Sequence, residues 1–477
     1  VSVAAVLRLA NVGQTTTVDL LGGALKLRAG GWQTRTPTQE NQVQASRFGA
    51  TASFQHYNMV TETFDLMGQG SNAALRTAIN ALEALQEQTR RWHSDPLVDE
   101  SVWLEWNTDG ENAKRSLIYE IGLQYPASRG VTPLLPFGAL AVQLAVTRHP
   151  LWENVTADTY SAIGLAALGG TWTPTVGASV RGTAPGRIAT CSVYGSGDTY
   201  TLDKFWIGIR EPRFGTAGFV SRWECENGTV GTDTVKRKDA GEGASPSDTP
   251  TYNKVRVTYV TTALARRLSI TVNDVCASNW LHEAGRYVVL ARCKVSGGTS
   301  AVQLRYGANQ APESGFAANE SVYVSNTAWG LVSLGEVQIP PVGTRNNTYQ
   351  TADVRYTELQ LWAEQIGGAG TWLDLDCLAL IPAEHYVAAS GAEINYSPAG
   401  TGAHVYVAEN DVITGYAEDT SNYARRALEN LTPRDWYFPV DGGMIVAAAE
   451  RSTGSVLADV LNLSLSLRGR WLSYRSS

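Results

Sequence analysis

Between Arg187 and Pro382 the chain passes through nine short apolar or alternating runs, each closed by turn residues: "RIATCSVYG", "LDKFWIGIR", "NKVRVTYV", "RLSITV", "GRYVVLARCKV", "SAVQLRYG", "WGLVSLGEVQIPP", "YTELQLWAE" and "TWLDLDCLALIP". Runs of this length with turn signals between them read as strands. Nine in succession constrain this region to a two-sheet sandwich or jelly roll. The composition agrees: 46 glycines and only 3 methionines suit many strands and turns better than a helical bundle. At 477 residues the chain exceeds what one core organises, and two to four domains are expected.

Residues 1–150 have a different texture. "SFQHYNMVTETFDLMG" predicts a long strand with Val60, Phe64 and Leu66 on one face. "GSNAALRTAINALEALQEQTRRW" then changes period, with Leu75, Ile79, Leu82 and Leu85 forming one apolar stripe of a helix. Ser71 and Asn72 offer N-cap oxygens, and Arg90 and Arg91 sit where the helix dipole favours cations. "SVWLEWNTDGENAKRSLIYEIGLQY" reads as a hairpin turning near Asp109-Gly110, and "GALAVQLAVTRHPLWE" as a strand with Leu140, Val142, Leu144 and Val146 on one face.

The expected fold class is therefore mainly β: an N-terminal α+β domain with one long helix (1–150), a linker (151–180), a sandwich (181–385), and a β-rich region (386–477) able to complete a second sandwich. "AALGGTWTPTVGASVRGTAPG" marks the linker or an irregular crossing. A short helix is expected near "TSNYARRALENLT". The last run alternates Leu461, Leu463, Leu465 and Leu467 with polar residues, and so should pair into a sheet.

Charge excludes several partners. The formal net charge is −7, and the densest basic run, "VKRKDAGEGASP", is broken at once by acidic and small residues. Phosphate binding needs clustered cations, so neither nucleic acid nor an anionic membrane is an expected partner. No stretch reaches the ~20 apolar residues of a bilayer span, and the start lacks a charged leader followed by an apolar core. The initial Val is consistent with a removed methionine and cytoplasmic synthesis. The sequon at Asn154 carries little weight in a Ser/Thr-rich chain.

Chemistry-bearing motifs are sparse. Cys191, Cys225, Cys276, Cys293 and Cys377 are odd in number and lack CxxC spacing, so free, buried thiols are expected. The six histidines form no HxH or HExxH pair, and no EF-hand loop appears. There is no GxSxG elbow or phosphate-binding loop. No cofactor is expected.

Asp374 and Asp376 stand one residue apart in "TWLDLDCLALIP". Strand alternation puts Trp372, Asp374, Asp376, Leu378 and Leu380 on one face, and Leu373, Leu375, Cys377, Ala379 and Ile381 on the other. Same-face neighbours lie ~6.6–7 Å apart, a spacing that permits a glycosidase pair or a calcium site. A sandwich strand with its polar face in solvent is the simpler expectation. Trp280, Trp329 and Trp362, flanked by polar residues, are candidates for exposed sugar-stacking platforms, with Asp374 and Asp376 as accompanying contacts. Trp206, in "FWIGIR", reads as core.

The strand "TETFDLMGQGS", the helix "NAALRTAINALEALQEQTRRW", the hairpin "VWLEWNTDGENAKRSLIYEIGLQY" and the strand "LAVQLAVTRHPLWE" together resemble phage tail proteins of the distal-tail type. "WLDLDCLALIPAEH" closes a region similar to the carbohydrate-binding-like or galectin-like jelly rolls of tail-tip proteins. "GGMIVAAA…LADVLNLSLSLRGRWLSY" resembles the C-terminal strands of the same tail proteins. This resemblance implies a non-enzymatic virion protein with a belt domain that closes into a homo-oligomeric ring, a hexamer first of all. It also implies contacts with tail tube, hub and receptor-binding proteins, and with host-surface glycan. DNA would pass through the lumen without specific binding. A stand-alone carbohydrate-binding adhesin and a glycoside hydrolase are the alternatives.

Overall fold

The computed structural model describes residues 5–33, 39–46, 49–95, 99–107, 113–125, 140–166, 168–172, 182–195, 201–210, 221–239, 252–272, 285–308, 315–339, 357–368, 370–383, 385–395, 403–409, 412–419, 424–427, 437–438, 443–451 and 460–472. Among them the chain is mainly β, with a single long helix.

That helix, Asn72–Ser94, begins where Ser71 Oγ accepts from the Ala74 amide at 3.2 Å. Leu75, Leu82 and Leu85 are buried as the stripe predicts, while Ile79 is only half-buried. They pack on Leu7, Leu9, Leu104, Ile118 and Leu144 of the sheet beneath. The stripe continues through Thr89 for about two more turns, to where Trp92 meets Trp103 and Leu117. Gln86 Nε2 donates to the Ile121 carbonyl at 2.8 Å and ties the helix's middle to the same sheet.

The expected long strand is two strands, Gly49–Tyr57 and Val60–Gly68. The second pairs with Leu25–Gln33 and Leu140–Arg148, and Val60, Phe64 and Leu66 are buried on its inner face. The first pairs with Gln39–Ser46 in a separate two-stranded sheet. The hairpin is present as Val102–Asn107 against Lys114–Gln124; its tip lies outside the described residues.

Residues 151–172, expected as a linker, instead carry strands. Trp152–Asn154 bridges Lys114–Gln124 on one side and Val460–Trp471 on the other, so the N-terminal sheet runs on into the C-terminal strands. Val460–Trp471 also pairs with Asp158–Ala166 and Ala184–Gly195. Leu463, Leu465 and Leu467 are buried, as strict alternation requires. Leu168–Trp172, Met444–Arg451, Thr201–Arg210 and His385–Asn395 form a further four-stranded sheet. Ala424–Ala427, expected to be helical, is a strand paired with Val412–Asp419. Its AxxA spacing fits one helical turn, but the pairing partner decides.

All nine runs between Arg187 and Pro382 contain strands. The first two, Ala184–Gly195 and Thr201–Arg210, join the sheets just described. The other seven, with the short strands Arg222–Glu224, Thr229–Val230, Thr234–Arg237, Ala317–Ala318 and Val322–Val324, build two six-stranded sheets, one centred on Leu373–Pro382 and Gly285–Val295, the other on Thr357–Gly367. Val289, Val295, Leu304, Leu361, Leu373 and Leu375 are among the residues filling the space between them.

Candidate functional site

Leu373–Pro382 is buried at all ten positions. A β-bulge explains how. Cys293 opposes Leu375 and Ala291 opposes Leu378, so Asp376 and Cys377 together face Arg292. The extra residue inverts the alternation. Leu373, Leu375, Leu378 and Leu380 all point into the sandwich, while Cys377, Ala379 and Ile381 pack on Trp206, Met444, Val446 and Ala448 of the four-stranded sheet. The expectation that Leu378 and Leu380 share a face with the aspartates is corrected by this single inserted position.

The aspartates are not in solvent either. Asp374 is 0 % exposed and Asp376 2 %. Arg256, on the neighbouring strand Lys254–Val257, grips Asp374 with two bonds, Nε to Oδ1 at 2.6 Å and Nη2 to Oδ2 at 2.8 Å. Lys254 Nζ adds a contact at 2.9 Å and reaches Asp239 at 2.6 Å. Asp376 is held by Arg292. Two half-buried indoles roof these charges. The Arg256 guanidinium lies 3.7 Å from the Trp372 ring centre, and Lys294 Nζ lies 4.7 Å from Trp329 and 5.8 Å from Trp372. The carboxylates are thus committed to guanidinium and ammonium partners, and they form neither a catalytic pair nor an open sugar contact.

Glu224, Asp376 and Cys377 bring three donor atoms within 4.8 Å of one another. Arg222 already meets Glu224 at 2.7 Å and Arg292 meets Asp376. Burial pushes the Cys377 thiol well above its ordinary range, with Asp376 adding to the effect. A protonated thiol between two carboxylates already paired with arginines is a poor cation site. Cys191, Cys225 and Cys293 are likewise buried free thiols, Cys293 pushed up to about 12 by burial.

Of the tryptophans, Trp280 lies outside the described residues and Trp329 belongs to the roof of the ionic cluster. Trp362 stands apart from both. It projects from the centre of Thr357–Gly367, on the face of the second sheet that turns away from the sandwich core. Glu358, Gln360 and Glu364 share that face by alternation, and Gln303 and Arg305 join it from Thr299–Ala308. A chain of bonds links them. Trp362 Nε1 donates to Gln360 Oε1 at 3.0 Å, Gln360 Nε2 to Glu358 Oε1 at 3.0 Å, and Arg305 Nε to Gln303 Oε1 at 2.8 Å. Ser269 Oγ also donates to Glu358. The Arg305 guanidinium lies 3.8 Å from the Trp362 ring centre. Except for Trp362, these residues escape a motif search, yet the alternation Glu-Leu-Gln-Leu-Trp-Ala-Glu in the sequence does carry a polar face with one indole.

The segment "RHPLWEN" forms a second concentration of charge. Arg148 is 2 % exposed, donates to Glu62 Oε1 at 2.6 Å and to the His149 carbonyl at 2.8 Å, and lies over Trp152. Trp32 Nε1 occupies the other Glu62 oxygen at 3.0 Å. Glu153, also buried, faces Arg115 at 3.1 Å, Arg187 at 3.4 Å, Arg470 at 3.9 Å and Arg468 at 4.0 Å. Burial alone would raise its carboxyl, but the four arginines outweigh that and hold it at about 2. Asn154 is buried in the same strand, so its sequon offers no acceptor surface.

No family model and no curated protein matches the chain. Among solved structures, the chain is similar to the Dit protein of phage SPP1, described as a paradigm of the hub adsorption apparatus in phages that infect Gram-positive hosts. That match has 12 % identity and a TM-score of 0.24, over 44 % of this chain and 72 % of that one. A chain of the phage P2 baseplate in its activated, calcium-bound conformation matches at 9 % identity and a TM-score of 0.19, over 80 % and 99 %. Infectious bursal virus-derived T=1 particles match at 9 % and 0.17, over 66 % and 77 %. Likenesses this low leave the function to the chain's own sequence and geometry. No helix among the described residues is long and apolar enough to cross a membrane.

Proposed function

We propose that this chain is a structural protein of a long-tailed phage virion, working at the distal end of the tail by assembly rather than by catalysis. The N-terminal domain would form the belt of a ring, a hexamer first of all. The ring would join the tail tube to hub and receptor-binding proteins, and the outer sandwich would contact host-surface glycan. The sequence resemblance of residues 1–150 and of the closing strands supplies the family.

One observation carries the assembly reading. The hairpin Gln39–Ser46/Gly49–Tyr57 pairs with no other described strand. Its nine-residue arm spans about 30 Å, and a two-stranded ribbon of that kind is marginal alone in water. A neighbouring copy laid along it would give the ribbon the partner that no other described strand of its own chain provides.

The proposed domain organisation revises the boundaries read from sequence. A belt would occupy residues up to about Arg148. A second sandwich would be assembled from residues 152–210 and 385–472, and the galectin-like sandwich, residues 221–383, would be an insertion into it. Native mass spectrometry with negative-stain imaging tests the central claim. Rings of defined stoichiometry are expected, and a protein that stays monomeric at high concentration would contradict it.

A further inference from the structure

We infer that Lys204 and Glu450 are the catch of a hinged arm: they grip the backbone of one residue of the inserted sandwich, Leu331, and hold that sandwich down on the four-stranded sheet that carries it. The inference rests on the proposed reading of residues 221–383 as an insertion and does not depend on ring formation.

At one end the two units meet where the chain passes between them. Thr201–Arg210 and His385–Asn395 are adjacent strands, with Ile209 opposite His385. The backbones approach closely there. A Cβ on Gly208 would stand 2.2 Å from the Pro382 carbonyl oxygen, so only glycine admits the contact. From this end the contact runs along both sheets. Pro382 opposes Tyr287 and Leu331 opposes Arg292, and the stretch from Tyr287 to Arg292 spans about 15 Å. Trp206, Val446 and Ala448 of the carrier lie along it against Leu290, Ala379 and Ile381 of the sandwich.

The catch lies at the far end. Gly330–Ile339 is an edge strand: Gly285–Val295 pairs with one side of it, and no described strand pairs with the other. The N–H and C=O that Leu331 turns outward therefore need partners from elsewhere. The Glu450 carboxylate accepts from the Leu331 amide at 2.8 Å, Lys204 Nζ donates to the Leu331 carbonyl at 3.3 Å, and the two charges meet at 3.2 Å. Lys204 and Glu450 are themselves opposed on adjacent strands of the carrier. For one residue, the ion pair takes the place of the missing neighbour strand. Gly330 makes room for it, since a Cβ there would stand 3.0 Å from Glu450 Oε1.

These bonds decide between closed and open. An apolar contact along one face of each unit permits relative motion, and charge-assisted hydrogen bonds are the stronger polar contacts across it. Removing either charge leaves a Leu331 backbone group without its partner in the closed arrangement, whereas the open one lets water reach it. The sandwich then swings away with the core between its own two sheets intact.

Cys377 reports the opening. Its thiol is 1 % exposed in the contact with the carrier, whereas Cys225 and Cys293 lie in the sandwich's own core. The test is alkylation of the native full chain with N-ethylmaleimide, followed in time by peptide mass spectrometry. Cys377 of the unsubstituted protein is expected to react slowly. Glu450→Ala and Lys204→Met should each raise its rate about tenfold, with Cys225 and Cys293 as slow as before. The exchanged pair, Lys204→Glu with Glu450→Lys, restores opposite charges but sets a donor against the N–H and an acceptor against the C=O, so its Cys377 should stay fast. Unchanged Cys377 labelling in the single variants overturns the catch. Slow labelling in the exchanged pair overturns the grip on the backbone, and equal acceleration of all three cysteines overturns the moving arm, because the pair would then support the sandwich fold itself. Labelling is read from whichever oligomer the protein forms, and native mass of the same samples judges the ring separately.

Discussion

Glu153 places one buried carboxylate among four arginines contributed by three parts of the chain: Arg115 from the N-terminal hairpin, Arg187 from Ala184–Gly195, and Arg468 and Arg470 from the final strand. Its folded value of about 2 lies below the ordinary 4.5, so the charged form favours folding. The contribution, roughly 3 kcal/mol from that difference, is complete above pH 4.5 and disappears as the pH falls from there toward 2. Urea unfolding followed by tryptophan fluorescence at pH 7 and pH 3 should show this loss. Glu153→Gln should be less stable by about 3–5 kcal/mol at pH 7, because four guanidiniums are left around a neutral amide, and its remaining pH dependence should be shallower. An acid profile unchanged by the substitution would remove Glu153 from this role. Asp374 predicts a companion result. Asp374→Asn strips Arg256 and Lys254 of their shared anion and should cost about 3–5 kcal/mol, read as a lower melting transition. Because both carboxylate oxygens are already occupied by protein cations, the same substitution should leave glycan contact by the sandwich unchanged.

At the scale of elements, the helix and the strands were legible because each obeys one period. Leu75, Leu82 and Leu85 follow the helical stripe, and Leu463, Leu465 and Leu467 follow strict alternation. Leu82→Ala should therefore cost about 2–5 kcal/mol, measured as a shift in the denaturation midpoint, whereas Ser71→Ala should cost about 1 kcal/mol through loss of the cap. What the sequence concealed has a physical cause in each case. The bulge at Asp376-Cys377 sits in a run that is apolar on both sides of the break, so either parity fits the pattern until Arg292 is seen opposite. The depth of Asp374 depends on Arg256, 118 positions away, and no local window contains that partner. Leu168–Trp172 and Trp152–Asn154 are short strands whose identity comes from the strands beside them. Gly169, Gly170 and Thr171 taken alone read as loop. The platform around Trp362 was half legible: alternation exposes Glu358, Gln360, Trp362 and Glu364, but only the neighbouring strand brings Gln303 and Arg305.

For the whole molecule, the decisive arrangement is how Thr201–Arg210 and His385–Asn395 meet. They are adjacent antiparallel strands in which Ile209 opposes His385, although more than 170 positions separate them in the chain. Two strand ends side by side need only a turn to join them, so the sandwich between them is a candidate for removal without disturbing the sheet that carries it. Excising residues 211–384 and linking Arg210 to His385 through a short Gly/Asn turn is expected to leave a folded protein with its oligomeric state intact and glycan contact abolished. The cut has a calculable side effect. Cys377, Ala379 and Ile381 now cover Trp206, Met444, Val446 and Ala448, and their loss would open an apolar patch that invites association between rings. A second version carrying Val446→Thr and Trp206→Gln should therefore stay dispersed where the first aggregates, with the same subunit number in native mass spectra. Should the excised chain fail to fold even with that face made polar, the inserted sandwich would be part of the foundation of its neighbour rather than a module seated upon it.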